Sequence, residues 1–231
     1  MAVATTGVVI PAGGMGVRMG GGIPKQFLPL RGKPILIHTL ERFESSACVD
    51  LVVLASPAGE IERTAGMVRS FGIRKLAGIV EGGKERQDSV AAALGSLPDG
   101  LEVILVHDAV RPFVTEGQIQ SVIHAAARYG AALLAVPEKV TIKEADGGYV
   151  SSTPDRSRLW QAQTPQGFRA ELFREAVRKA MEEGYYATDD AALVERMGCR
   201  VKIVEGDERN IKITSPADLA MAEWMMGEAG S

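Results

Sequence analysis

Apolar runs with little polar interruption recur along the chain at Val8-Val9-Ile10, Leu51-Val52-Val53-Leu54, Val103-Ile104-Leu105-Val106 and 131–136, with weaker ones at 75–80 and 201–204. Runs of this kind suit strands covered on both faces. Between them the apolar positions recur with helical spacing, which predicts helices over 34–44, 60–71, 86–97, 115–129, 170–183, 189–197 and 216–226. Strand and helix in alternation predict an α/β fold: a Rossmann-like three-layer sandwich with a mainly parallel sheet. One segment breaks the rhythm. From 140 to 152 the pattern is extended, with Asp146-Gly147-Gly148 as turn chemistry between Thr141-Ile142-Lys143 and Tyr149-Val150-Ser151, and it reads as a protruding β-hairpin arm. With no repeat and no Pro/Ser-rich linker, residues 1–231 form a single expected domain, the arm covering about 138–158.

Composition narrows the function classes. The 231 residues carry a net charge of -3 with mixed signs, which argues against a general nucleic-acid surface but leaves room for a local basic pocket. Cys48 and Cys199 stand far apart without metal-ligand spacing, so reduced thiols are expected. No apolar run approaches the ~20 residues of a membrane span, and the first residues lack the pattern of a secretory signal. A cytoplasmic protein that does not bind membranes is the expectation.

The chemistry concentrates directly after the first strand, in Pro11-Ala12-Gly13-Gly14-Met15-Gly16-Val17-Arg18-Met19-Gly20 followed by Pro24-Lys25-Gln26. Backbone N–H groups in a glycine-rich turn make a concave anion site, and Arg18 and Lys25 add the charge that polyphosphate requires. The loop has no GK[ST], since Gly32-Lys33 is followed by Pro34, so it is not a P-loop. For a dinucleotide loop, Met19 stands where the third glycine belongs and the second strand ends in Ala55-Ser56, without the acidic residue. A non-catalytic nucleotide-binding module would keep the loop but tolerate loss of Arg18 and Lys25.

The loop resembles the signature of sugar-phosphate nucleotidylyltransferases. Further blocks narrow the resemblance: Glu81-Gly82-Gly83-Lys84-Glu85-Arg86-Gln87-Asp88-Ser89-Val90, Val106-His107-Asp108-Ala109-Val110-Arg111-Pro112, Gln163-Thr164-Pro165-Gln166, Thr188-Asp189-Asp190 and Asn210-Ile211-Lys212-Ile213-Thr214. In this order they are similar to the 2-C-methyl-D-erythritol 4-phosphate cytidylyltransferase family. The resemblance implies CTP and a sugar-alcohol phosphate as substrates, Mg²⁺ or another divalent cation as cofactor, and a homodimer joined by the 138–158 arm. Ribitol-5-phosphate cytidylyltransferase is the nearest alternative.

By the same resemblance Arg18 and Lys25 stabilise the transition state. Pro11, Ala12, Gly13, Gly14, Gly83, Ser89, Asp108, Ala109 and Lys212 bind the nucleotide. Asp108, Arg111, Thr141, Arg156 and Lys212 bind the alcohol phosphate, Thr141 and Arg156 reaching it from the neighbouring subunit. Asp108 is open to a ribose, a substrate hydroxyl, a metal or a capping role. His107 is expected to be structural; Asp189 and Asp190 look like a metal pair, but Thr188 with these two acids after it is rather expected to form a helix cap and first turn. The chain departs from the family pattern at Val17, where a basic residue can precede the arginine, and at Val140, where Asp usually precedes the threonine.

Overall fold

The computed structural model describes residues 5–14 and 24–228. Successive residues of its central strands point to opposite faces of one sheet, and each face has its own helices. In β1 (Thr6–Pro11), Val8 and Ile10 share a core with α1 (Ile35–Ser45), α2 (Ile61–Ser70) and α4 (Glu116–Tyr129). Val9 faces the other way, toward α3 (Arg86–Gly95), α5 (Ala170–Glu182) and α6 (Asp190–Arg196). The same division runs through β6 (Val103–Val106), where Val103 and Leu105 belong to the first core and Ile104 and Val106 to the second. Unbroken apolar runs are therefore what a sheet clad on both faces demands.

The sheet has seven strands. Around β1 and β6 lie β4 (Leu51–Ser56) and β5 (Leu76–Glu81) on one side, and β10 (Trp160–Arg169), β7 (Ala131–Pro137) and β11 (Lys202–Glu205) on the other, in the order β11-β7-β10-β6-β1-β4-β5. All pairings are parallel except those of β10, which is antiparallel to both β6 and β7. A two-stranded ribbon of β2 (Pro29–Leu30) and β3 (Lys33–Pro34) leads into α1, and α7 (Pro216–Glu228) closes over it. No described helix is long and apolar enough to cross a membrane.

Both ends of α4 are closed by local sequence chemistry. Thr115 and Gln118 form a reciprocal capping box that opens α4, and Gly130 ends it with a φ of 95°.

Three expectations change. First, the pattern did not predict β10. It is rich in Gln and carries Pro165, which has no N–H for a ladder; the register shifts between Ala162 and Gln166 around it. Second, the arm's ladder pairs β8 (Glu144–Asp146) with β9 (Tyr149–Ser152), so Thr141-Ile142-Lys143 lies outside it. The turn decides this. Gly147 and Gly148 both have positive φ and form a two-residue loop that pairs Asp146 with Tyr149, and only a short ladder follows. Third, Asp189, not Thr188, caps α6, its side chain accepting from the N–H of Ala192 at 3.0 Å.

Gly167 in β10 lies under α4, and a Cβ there would meet Val122 Cγ1 at 2.7 Å and Leu105 Cδ2 at 2.9 Å. Gly167→Ala should cost about 1–3 kcal/mol of unfolding free energy in urea titrations. Gly117→Ala, in α4 with nothing within 4 Å of the added carbon, should instead gain up to about 1 kcal/mol. A neutral Gly167→Ala would mean that α4 does not press on β10 in this way.

Candidate active site

The C-terminal ends of the parallel strands form the floor of the site, the edge where open α/β sheets place ligands. Backbone bonds continue the ladder past the strands: Ala12 N–H donates to Ala55 (2.8 Å), Gly82 N–H to Ser56 (2.7 Å) and His107 N–H to Val9 (3.0 Å). These bonds bring the segments after β1, β5 and β6 to one cavity. Pro11, Ala12, Gly13, Gly14, Lys25, Gly83, Ser89, Asp108, Ala109 and Lys212 line it, together with Lys84, Glu85 and Arg86. Gln26, 2% exposed, donates through its side chain to the Ala12 carbonyl and holds the Lys25 turn against the loop. At the back, Ser89 Oγ accepts from Gly83 N–H at 3.2 Å. Glu85 and Asp88 form a capping box that fixes the start of α3.

Asp108 lies at the centre, 5% exposed. Its Oδ1 faces Arg86 Nε at 3.3 Å; its Oδ2 faces Arg111 Nε at 3.2 Å and Lys212 Nζ at 3.0 Å. Burial alone would raise the pKa of this carboxyl, but Arg86, Lys212 and Arg111 outweigh it and hold the group well below the usual carboxylate range. Arg86 reaches a second buried acid, Asp190, through Nη2 at 2.7 Å. There burial outweighs the single cation, and the Asp190 pKa is raised from its ordinary value. Three cations against two carboxylates leave this cluster net positive, and Lys25 lines the same cavity. A chain that is acidic overall thus presents a cationic cavity suited to phosphates.

His107 is structural, as expected. It is fully buried, Nδ1 facing Thr164 Oγ1 at 3.1 Å and Nε2 facing the Arg111 carbonyl at 3.0 Å, its ring edge-on to Phe43. Asp108 has no capping role; its carboxylate is taken up by the three cations. Lys212 stands on the irregular segment between β11 and α7. Thr141 and Arg156 are exposed on or beside the arm, Arg156 donating to the Lys139 carbonyl at 2.8 Å, and neither lines the cavity of Lys25 and Lys212. Arg18 and Val17 lie outside the described residues.

Sequence reading assigned no role to Arg86 or Thr164, and it placed Asp190 only in the first turn of a capped helix. Arg86 and Thr164 stood inside the motif blocks, and an arginine three residues beyond a strand-end glycine pair was the available signal. Thr164 Oγ1 accepts from the N–H of Asp108 at 3.1 Å and so anchors that residue from β10.

The family model described as IspD: 2-C-methyl-D-erythritol 4-phosphate cytidylyltransferase matches residues 6–228. The chain belongs to this family. Cytidylyltransferases carrying that name are similar to it: the Geobacillus kaustophilus protein is 48% identical over 216 residues, covering 93% of this chain and 94% of the relative. The Symbiobacterium thermophilum protein is 46% identical over 222 residues, covering 96% and 92%. Among solved structures, the cytidylyltransferase of Thermus thermophilus superposes with a TM-score of 0.78 at 38% identity, covering 95% of this chain and 98% of that one. The Anaerococcus prevotii 4-diphosphocytidyl-2C-methyl-D-erythritol synthase superposes at 0.85 with 27% identity, covering 97% and 96%. The mainly parallel sheet with helices on both faces is thus the Rossmann-like fold that these solved structures share.

Burial lowers the His107 pKa to about 4, against about 6.5 in an unfolded chain. Between those values the unfolded chain binds a proton that the folded chain refuses, so stability falls as pH drops through this window. Between pH 7 and 4.5 the wild type should lose about 2–3 kcal/mol more unfolding free energy in urea than His107→Gln. Parallel losses would show that His107 is not held neutral.

Proposed function

We propose that the chain transfers the cytidylyl group of CTP to 2-C-methyl-D-erythritol 4-phosphate, releasing pyrophosphate and 4-diphosphocytidyl-2-C-methyl-D-erythritol, a step of isoprenoid biosynthesis carried out in the cytoplasm. The family match over residues 6–228 carries this reading. The cation cluster around Asp108 supports it, because the reaction brings one phosphate onto another.

A phosphate monoester has its second pKa near ~6, so the attacking oxygen is already largely ionised at neutral pH and needs no general base. That fits a site whose one buried histidine is held in the core. Catalysis is then a matter of alignment and charge stabilisation. The nucleotide lies along the loop after β1, its base toward Gly83 and Ser89 and its phosphates toward Arg18, Lys25 and Lys212. A second cavity lined by Arg111, Gln163, Thr164 and Thr188 shares Arg86, Asp108 and Lys212 with the first. The alcohol phosphate sits there, its hydroxyls within reach of Asp108 and Arg111.

The described residues hold no cluster of three or more His, Cys, Asp or Glu side chains suited to a metal. Mg²⁺ binds through one or two carboxylates and substrate phosphates. Asp108, the buried carboxylate in the cavity, already meets three cations, so the ion would be held chiefly by the nucleotide's phosphate oxygens and would supply neutralisation of their charge.

Pyrophosphate release measured with CTP or UTP against methylerythritol phosphate or ribitol phosphate tests the reading. CTP with methylerythritol phosphate should be much the best pair, since UTP offers an O4 acceptor where CTP offers an N4 donor. Lys25→Ala and Arg18→Ala should each lower turnover about 100-fold or more, with a smaller effect on CTP binding. Preference for ribitol phosphate, or turnover within threefold of wild type in both variants, would overturn it.

The chain works as a homodimer with shared sites in the same reading. Val140, Tyr149 and Val150 on the arm are 63%, 81% and 62% exposed, and a lone two-stranded ribbon is marginal in water. A two-fold partner covers each arm, and Thr141 and Arg156 then complete the partner's phosphate site. Lys25→Ala and Arg156→Ala chains, each inactive, should recover about a quarter of wild-type activity when refolded together in equal amounts. Mixed dimers without recovered activity would remove the shared site.

A further inference from the structure

We propose that Asp190 is a positioning residue for the transfer reaction: from α6 it holds Arg86, and through Arg86 it sets the Asp108 carboxylate between the two cavities. The inference rests on the cytidylyl-transfer reading. Asp190 is 1% exposed at the first position of α6, although the capping of that helix is already done by Asp189. A buried carboxylate at such a place is costly unless it is paired, and its ion-pair partner is Arg86. The planar guanidinium uses two of its nitrogens for different acids, Nη2 for Asp190 at 2.7 Å and Nε for Asp108 at 3.3 Å. The shorter bond fixes the plane, and the plane then fixes Oδ1 of Asp108. Arg111 and Lys212 both pull on Oδ2, so loss of the Arg86 contact leaves the carboxylate held on one side only.

The segment that carries Asp190 is braced on two elements. Gln87 donates to the Tyr185 carbonyl at 2.8 Å and accepts from Ala187 N–H at 3.0 Å, while Tyr186 donates to Asp88 at 2.9 Å. On the other side, Gln166 of β10 donates to Asp189 and accepts from Ala191 N–H, both at 2.8 Å. Consecutive residues of the first turn of α3 thus clasp the 185–190 segment, and Arg86–Asp190 is the contact of that clasp that reaches the cavity. The back of the nucleotide cavity, made by Gly83 and Ser89, does not depend on Asp108. Loss of Asp190 therefore weakens handling of the alcohol phosphate rather than of the base.

The test is steady-state kinetics of Asp190→Ala, Asp190→Asn, Arg86→Ala and the Asp190→Ala/Arg86→Ala double variant, with thermal midpoints measured alongside. Asp190→Ala should lower kcat/KM for the alcohol phosphate about tenfold to a hundredfold, with KM for CTP within threefold. Asp190→Asn, which keeps an oxygen toward Arg86, should fall between it and wild type, and it supplies the answer if the alanine variant does not fold. The double variant should be no slower than Arg86→Ala alone, because Asp190 acts through that arginine. Multiplying effects, or KM rising equally for both substrates, would assign Asp190 to general structural support and end the proposal. Wild-type protein inactive toward both substrates would instead strike the functional reading, before any variant is compared.

Discussion

The buried carboxylate of Asp108 is the constraint around which the site is arranged. An ion at the end of a central strand is costly to bury without partners, and three separate stretches of chain supply them: Arg86 from the start of α3, Arg111 from the turn after β6, and Lys212 from the segment leading to α7. Each partner is itself tied down. Arg111 donates from Nη1 to the Asn210 carbonyl at 2.8 Å, and the N–H of Ile213, next to Lys212, donates to Val110 at 3.0 Å. Removing the acid would leave three cations crowded in a partly dry cavity, so the fold of this edge and its charge arrangement are one problem.

Much of this was legible in the sequence, for a definable reason. Strands clad on both faces need continuous apolar runs, and the runs at Val8-Val9-Ile10 and Val103-Ile104-Leu105-Val106 show it directly. The chemistry at the strand ends was legible through the quoted blocks, which placed Lys25, Asp108, Arg111 and Lys212 near one another through the resemblance. The arm's turn was legible through its glycine pair, though the ladder it nucleates is shorter and shifted.

What hydrophobic patterning could not show is a strand buried by its polar side chains. In β10, Gln163 donates to the Asp207 carbonyl at 2.8 Å, Thr164 contacts His107 and the N–H of Asp108, and Gln166 reaches α6 in both directions. Gln163, Thr164 and Gln166 are 6%, 5% and 2% exposed. Buried polar groups are tolerated where each finds a partner, and those partners lie far away in sequence, so a local window reads the strand as a loop. Asp190 was hidden for the same reason: beside Asp189 it looks like helix-capping chemistry, and only Arg86, brought in from a different helix, gives it another task.

The glycines of the loop also take on a more specific meaning. Gly13, Gly82 and Gly83 have no positive φ, so the left-handed freedom usually invoked for such a run does not explain these three. Space does. A Cβ on Gly13 or Gly82 would meet Ser89 Oγ at 2.8 Å, and one on Gly83 would strike Asp88 Cβ at 2.2 Å. The three segments therefore approach closely enough for Ser89 to accept from Gly83, with Asp88 free to bond Glu85 N–H at 2.9 Å and Tyr186 at 2.9 Å. Glycine here permits a close contact between backbone and helix α3, and that contact links the back of the nucleotide cavity to the same first turn from which Arg86 reaches Asp108. The uncharged end of the site and its charged centre thus share one short piece of helix, so the position of α3 governs both.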